Sequence, residues 1–373
     1  MKKTIIALAA LGAVTSMAGV AHAQSNVRIY GNIDTGYFKE SGRDVGMACN
    51  YGNMIGFAGD EDLGGGLKAL FAVEEWLELN DGDRARRRNE ADFNSSRATG
   101  GNEGRRRPDF QGQAVIGLAH NDWGAVRLGR VYNLAIENYR RLDPFFNFSV
   151  GANLAYGNNL YAETLHNSLR YDSPVWSGFS FGLSYSLGED DHDSAYYKRN
   201  GNDGFNVTLK YDNGPLFLTG NYYRMADSDN SYAWNVGGAY TWGKATVSLG
   251  YQDSRSNASF ADTYTGATGP YANWMLAGRD VDQSDATLGL IYQIGSGQIQ
   301  AGVNWGNWDD GVNDEDIWKY SLGYTHFLSK RTSLYGMVSY LDAGNAFVGK
   351  HYNFTMLEKS EIFGIQVGLR HTF

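Results

Sequence analysis

The chain has 373 residues, a formal charge of -9, a mean hydropathy of -0.42 and one cysteine, Cys49. So polar an average excludes a bundle of lipid-spanning helices, and a lone thiol excludes an intrachain disulfide. Its 48 glycines against 5 prolines, with 14% aromatics, fit strands that use glycine where room is short and aromatic rings where a strand meets an interface.

Met1-Lys2-Lys3 is followed by the apolar run "IIALAALGAVTSMAGV" and an Ala21-His22-Ala23 exit. This order predicts an export leader, residues 1–23, and a mature unit, residues 24–373. The run is too short and too weakly flanked to be a spanning helix. Loss of Lys2 and Lys3 takes the formal charge from -9 to -11.

Beyond the leader, segments with a two-residue period recur without interruption by any long helical pattern. They are predicted at 27–38, 52–60, 66–77, 111–120, 123–131, 164–173, 177–187, 203–213, 215–226, 231–242, 244–254, 283–295, 297–307, 316–328, 330–341 and 361–373, sixteen in all. In "GFNVTLKYD", Phe205, Val207, Leu209 and Tyr211 share one parity, and Asn206, Thr208 and Lys210 the other. The last strand repeats the pattern: Phe363, Ile365, Val367, Leu369, His371 and Phe373 alternate with Gly364, Gln366, Gly368, Arg370 and Thr372.

Alternation alone fits a soluble sandwich equally well. The connections decide. Tight turns at Asp212, Trp242, Gly295 and Leu328 alternate with long polar segments at 39–51, 78–110, 132–163, 188–202, 227–230, 255–282, 308–315 and 342–360. Short turns at one end and long loops at the other mark an all-β, 16-stranded antiparallel transmembrane β-barrel. An even strand number returns both termini to the short-turn end. The apolar parity then faces lipid, and the polar parity faces a lumen too wide for side chains to fill.

Parity puts Arg28, Asp34, Lys68, Glu74, Arg127, Arg170, Lys210, Asp212, Lys319 and Arg370 on the lumen side. Glu137, Arg140, Arg141 and Asp143 come from the third long connection, Tyr132 to Glu163. Opposed carboxylates and guanidinium groups across a narrow gap make a transverse field that favours small polar solutes. The inward aromatics Tyr30, Tyr223, Tyr335 and Phe217 are too scattered to define a sugar track. Gln366, on the same parity, is expected to tolerate an arginine. Of the seven histidines, none stands beside a recognisable nucleophile motif, so the chain reads as no enzyme. The second connection holds Arg84, Arg86, Arg87, Arg88, Arg97, Arg105, Arg106 and Arg107. An external loop does not meet nucleic acid; it reads as a solvated charged loop, offset by Asp83, Glu90, Asp92, Glu103 and Asp109, or, as the sharper alternative, as a docking site for a neighbouring subunit or lipopolysaccharide phosphates. Acidic clusters at Glu189–Asp193 and Asp309–Asp316 lack the spacing of a calcium loop, and no metal or cofactor is expected.

Five landmarks, "VRIYGNIDTG", "EDLGGGLKALFAVE", "GAVRLGRVYN", "NSLRYDSP" and "VGLRHTF", occur in the order in which they resemble the general porins of Gram-negative bacteria. The likeness is greatest to the trimeric porins of the β-proteobacterial and neisserial type. It implies a homotrimer in the outer membrane, passive diffusion of ions and small hydrophilic solutes, and a third external loop folded inward to form the constriction. It also implies recognition of the terminal Phe373 by the barrel assembly machinery. A substrate-selective channel for a sugar or organic anion is the alternative. Composition of the third connection alone leaves an exposed Ω-loop open. Where such porins carry arginines in the second strand, this chain has Met54 and Ala58, and Thr164 or His166 stands at another familiar basic position. With Glu137 and Asp143 facing the lumen, a weak cation preference follows, opposed by Arg127, Arg140, Arg141 and Arg170.

Overall fold

A strand with one greasy and one wet edge is stable where its faces meet different media and its backbone groups are paired on both sides. The computed structural model satisfies this with one continuous antiparallel sheet closed on itself. It describes residues 25–77, 79, 110, 112–146, 149–153, 163–188, 202–226, 230–256, 280–345, 351–352, 355–356 and 359–373. The leader, the arginines from Arg84 to Arg107 and the acidic cluster Glu189–Asp193 lie outside the described residues.

Seventeen hydrogen-bonded segments form the sheet; one is the three-residue piece Gly46–Ala48, and the other sixteen make the wall. In chain order these are β1 (Ser25–Glu40), β2 (Asn53–Gly64), β3 (Leu67–Leu77), β4 (Ala114–His120), β5 (Gly124–Tyr132), β6 (Thr164–Asp172), β7 (Phe179–Ser186) and β8 (Gly204–Asn213). There follow β9 (Leu216–Arg224), β10 (Tyr232–Trp242), β11 (Ala245–Ser256), β12 (Val281–Ile294), β13 (Gly297–Asp309), β14 (Asp314–Phe327), β15 (Thr332–Ala343) and β16 (Glu361–Thr372). Every strand begins and ends within four residues of its predicted limits. The tight turns at Gly214 and Gly243 take φ of 59° and 58°, a left-handed conformation that glycine reaches without Cβ strain.

The barrel closes through β1. Its first half, Ser25 to Asn32, pairs with β2, and its second half, Asn32 to Glu40, pairs with β16. Backbone hydrogen bonds of 3.1 Å in both directions join Gly31 to Phe373, so the last residue fastens the seam.

Burial is inverted relative to a soluble sandwich. On β16, Val367 is 52% exposed while its neighbour Gln366 is 1% exposed. The same holds around the wall: Ile116, Leu128, Leu209, Leu218, Leu249, Leu288, Leu322 and Leu334 are exposed, whereas Asn206, Thr208, Asn235, Gln252, Gln283 and Gln300 are buried. Exposed rings fringe this apolar band at both ends. Trp123, Phe179, Tyr240, Trp242, Tyr292 and Phe327 lie at the short-turn end, and Tyr37, Tyr185, Trp318, Tyr320, Tyr340 and Phe363 at the other. Such paired aromatic girdles mark the two interfaces of a lipid bilayer.

Candidate functional site

The third connection leaves the wall at a bulge. The β5–β6 register shifts between Gly129 and Val131, Gly129 has φ 122° and Asn167 φ 49°, and the extra residue re-aims the side chains that follow. Beyond it Val131 and Leu165 join a buried cluster with Ala58, Ala72, Val115, Ala135, Tyr223 and Met225. Asn133 then caps a short helix, α1 (Leu134–Tyr139), by accepting the Ala135 N–H, as asparagine does at helix starts. A single 3-10 turn, Arg140–Leu142, follows.

What this segment rests on is the polar parity of the wall. Asn138 donates to Thr208 Oγ1 at 3.2 Å, Ser248 Oγ to the Leu142 carbonyl at 2.6 Å, Gln300 to the Pro144 carbonyl, and Val150 N–H to Gln366 Oε1 at 3.0 Å. Glycines on the same parity give room. A Cβ at Gly250 would stand 2.8 Å from the Tyr139 ring, and one at Gly289 2.8 Å from the Pro144 ring.

The charged residues fall into separate groups. Arg170, on β6, reaches Glu137 of α1 at 2.7 Å and the Tyr132 carbonyl at 3.2 Å. The same guanidinium holds both oxygens of Asp172, at 3.1 and 3.0 Å from Nε and 2.8 Å from Nη2. Arg127 binds Asp172 as well. Two guanidinium groups and two carboxylates therefore form one compensated network. Arg141 pairs with Asp212 at 2.9 Å and lies 3.7 Å above the Phe217 ring, while Arg140 stands 6.0 Å from the Tyr132 ring. Parity applied to "NSLRYDSP" would have found Asp172, which shares the lumen side with Arg170; the sequence reading passed over it.

The remaining predicted residues lie elsewhere. Glu74, 3% exposed, accepts from Tyr30 at 2.5 Å, from Gln113 at 2.8 Å and from Tyr132. The Tyr132 hydroxyl also meets Met54 Sδ at 3.9 Å, so among the described residues two tyrosines and an amide serve this carboxylate. Arg28 lies near Tyr30, and Lys68 near Asp60 at 3.7 Å, both towards the short-turn end and away from α1. Asp34 is enclosed, accepting from Tyr335 at 2.7 Å and from the Asn50 N–H at 3.1 Å.

Asp143 is turned into its own loop. Only 3% exposed, it accepts from the N–H groups of Phe145 and Asn153, each at 2.9 Å. Burial pushes its carboxyl up to about 6, against the pull of those two N–H groups and of Lys319. It thus fastens the turn rather than presenting charge to solvent, which removes one leg of the cation-preference argument. The inward aromatics Tyr223, Tyr335 and Phe217 are also covered, at 1%, 5% and 6% exposure, and cannot form a solute track. Gln366 corrects a further expectation. Enclosed between Val150 and the Ala48 and Cys49 carbonyls, it has no room for an arginine.

The profile of the Gram-negative porin family matches residues 7–346. The chain is a Gram-negative porin. An outer membrane porin protein of Bordetella pertussis is 30% identical to it over 422 residues, covering 100% of both chains. Outer membrane porin protein 32 of Delftia acidovorans is 27% identical over 406 residues, again covering 100% of both. Among solved structures, the anion-selective porin from Comamonas acidovorans shares the fold, with a TM-score of 0.69 and 23% identity over 94% of this chain and 100% of that one. The porin resides in the outer membrane, crosses it with strands and provides a water-filled channel for passive diffusion of ions and small hydrophilic solutes. That places the long connections outside the cell and the short turns in the periplasm.

Proposed function

We propose that the third connection lies within the barrel, narrows the channel and makes it a weakly selective filter. The observation that carries this reading is the compensated network Glu137–Arg170–Asp172–Arg127, which joins the connection to the wall. Fixed charges of both signs in close pairs order water and penalise apolar solutes, yet leave little net field to discriminate cations from anions. Arg141 is offset by Asp212, which keeps the sign of selectivity close to balance.

The finer assignments belong to the same reading. Residues 1–23 act as the export leader, three copies assemble in the membrane, and Phe373 is the assembly signal. The arginines of the second connection contact lipopolysaccharide or a neighbouring subunit. Passive passage rather than catalysis is supported by the family match and by the porin relatives. The carboxylates of Asp309 and Asp310 accept turn N–H groups, which accounts for part of the acidic cluster without an ion.

Single-channel recording under a salt gradient tests the reading. The wild-type reversal potential should lie near zero. Glu137→Gln should move it towards anions, and Met54→Arg should do the same without closing the pore. No response to Glu137→Gln would place the narrowest point elsewhere.

A further inference from the structure

The sequence marks the first external connection, residues 39–51, only as one of the long polar segments. Its residues nevertheless reach the lumen face of the wall. Gly46–Ala48 extends the sheet by pairing with Gly36–Phe38 of β1. Gln366 on β16 then holds two connections with one amide group. Its nitrogen donates to the Ala48 and Cys49 carbonyls at 3.4 and 3.2 Å, and its oxygen accepts the Val150 N–H at 3.0 Å.

A second bridge lies beside this one. The Tyr51 ring meets the Phe146 ring of the third connection with centroids 4.5 Å apart and planes at 59°, an edge-inclined geometry that aromatic pairs favour. Tyr51 also neighbours Arg370, whose guanidinium lies 3.6 Å from the ring centre. Arg370 is itself anchored, its Nε donating to Asn32 Oδ1 at 2.8 Å, while Asn32 donates to the Gly52 carbonyl at 2.6 Å. Phe146 has φ of 50°, a left-handed conformation that a bulky residue holds only when its surroundings impose it. The Tyr51 ring is one of those surroundings.

We propose that the first connection is a structural part of the constriction, with Tyr51 and Gln366 as positioning residues that fix the third connection and so set the effective width of the pore. The inference rests on the constriction reading above. The third connection is held from two sides, by the wall beneath α1 and by the first connection beyond Phe146. Loss of the second hold leaves the barrel intact and lets the segments 143–146 and 149–153 depart from their seat.

The test uses the folded, full-length porin in planar bilayers, with barrel integrity checked by the gel mobility of unheated samples. Tyr51→Ala and Phe146→Ala should each raise the fraction of time spent in reduced- or altered-conductance states about two- to tenfold, the range expected for one aromatic pair. The double variant should add little to the larger single effect, because both substitutions remove the same contact. Gln366→Leu should act like Tyr51→Ala. Gln366→Glu, which keeps the acceptor for Val150 and loses the donors for Ala48 and Cys49, should fall between Gln366→Leu and wild type. Additive effects of Tyr51→Ala and Phe146→Ala, or conductance traces unchanged in either, overturn the proposal. Glu137→Gln separates the two ideas. If it shifts the reversal potential while the Tyr51 and Phe146 variants behave as wild type, the constriction stands and the tether is refuted. If it too changes nothing, the constriction reading fails, and the proposal with it.

Discussion

A charge scan down the outer face of β16 tests the inside–outside assignment at a position where depth can be worked out. From Phe363 to Phe373 the strand advances ten residues, and a rise of about 3.3 Å with a tilt near 40° gives about 25 Å along the membrane normal. That equals the height of the apolar band of an outer-membrane barrel, so the two rings sit at its edges and Val367 and Leu369 flank its centre. Both central side chains are exposed on the outer face, at 52% and 46%. Val367→Arg and Leu369→Arg should therefore each cost roughly 2–4 kcal/mol, and Phe363→Arg about 0–1 kcal/mol, with Ile365→Arg between. Urea titrations of folding into lipid vesicles measure these differences directly. A flat profile, or one in which Phe363→Arg costs most, would show that this parity does not face hydrocarbon.

Arg170→Met removes the guanidinium shared by Glu137 and Asp172 and leaves Arg127 alone to balance both. The reversal potential should move towards cations, and unchanged selectivity would count against the network. Gly250→Ala introduces a Cβ 2.8 Å from the Tyr139 ring and 3.0 Å from Leu142, with no backbone atom as near. Conductance should change while the unfolding free energy from urea titration stays within about 0.5 kcal/mol of wild type, and a collapse of folding would mean that the glycine serves the strand rather than the connection. Asp143 sets a pH dependence. Its folded value, raised by burial to about 6, lies above that of the unfolded carboxyl, so its contribution to stability is fully present below the unfolded value and declines as pH rises through about 6. The difference in thermal midpoint between wild type and Asp143→Ala should thus be more favourable to wild type at pH 4 than at pH 7, and the opposite trend would refute the assignment.

The wall was legible in the sequence because a β-strand's period is two and the membrane inverts what each parity must be. Sixteen repetitions of that rule, with turns such as Gly214 and Gly243 separating them, leave little freedom in strand limits. The site was legible only in part. Parity located Arg127, Arg170 and Asp212 on the lumen side, but parity names a face and says nothing about what covers it. Gln366 illustrates the gap: its position alternates correctly, yet its surroundings come from residues more than two hundred positions away in Val150 and more than three hundred in Ala48. Asp143 looked like a lumen charge because a carboxylate in a loop is usually solvated. What reversed it was a turn whose backbone N–H groups, from Phe145 and Asn153, converge on its two oxygens.

The inner surface also explains why polar residues on one parity serve two purposes. A barrel this wide cannot fill itself, and a connection packed against its inner wall, as proposed for the third one, brings backbone groups that must be paired away from bulk water. Uncharged side chains meet that need. Ser248 serves the Leu142 carbonyl, Gln300 the Pro144 carbonyl, and Gln366 three backbone groups from two connections. Charged side chains concentrate instead where the connection's own ionised groups approach, at Arg170 and Asp212. A hydroxyl or amide satisfies a carbonyl at little desolvation cost, whereas a lone charge buried there would be expensive. The chemical kind of each inward residue, and not its parity alone, therefore separates the wall that seats a connection from the wall that faces water.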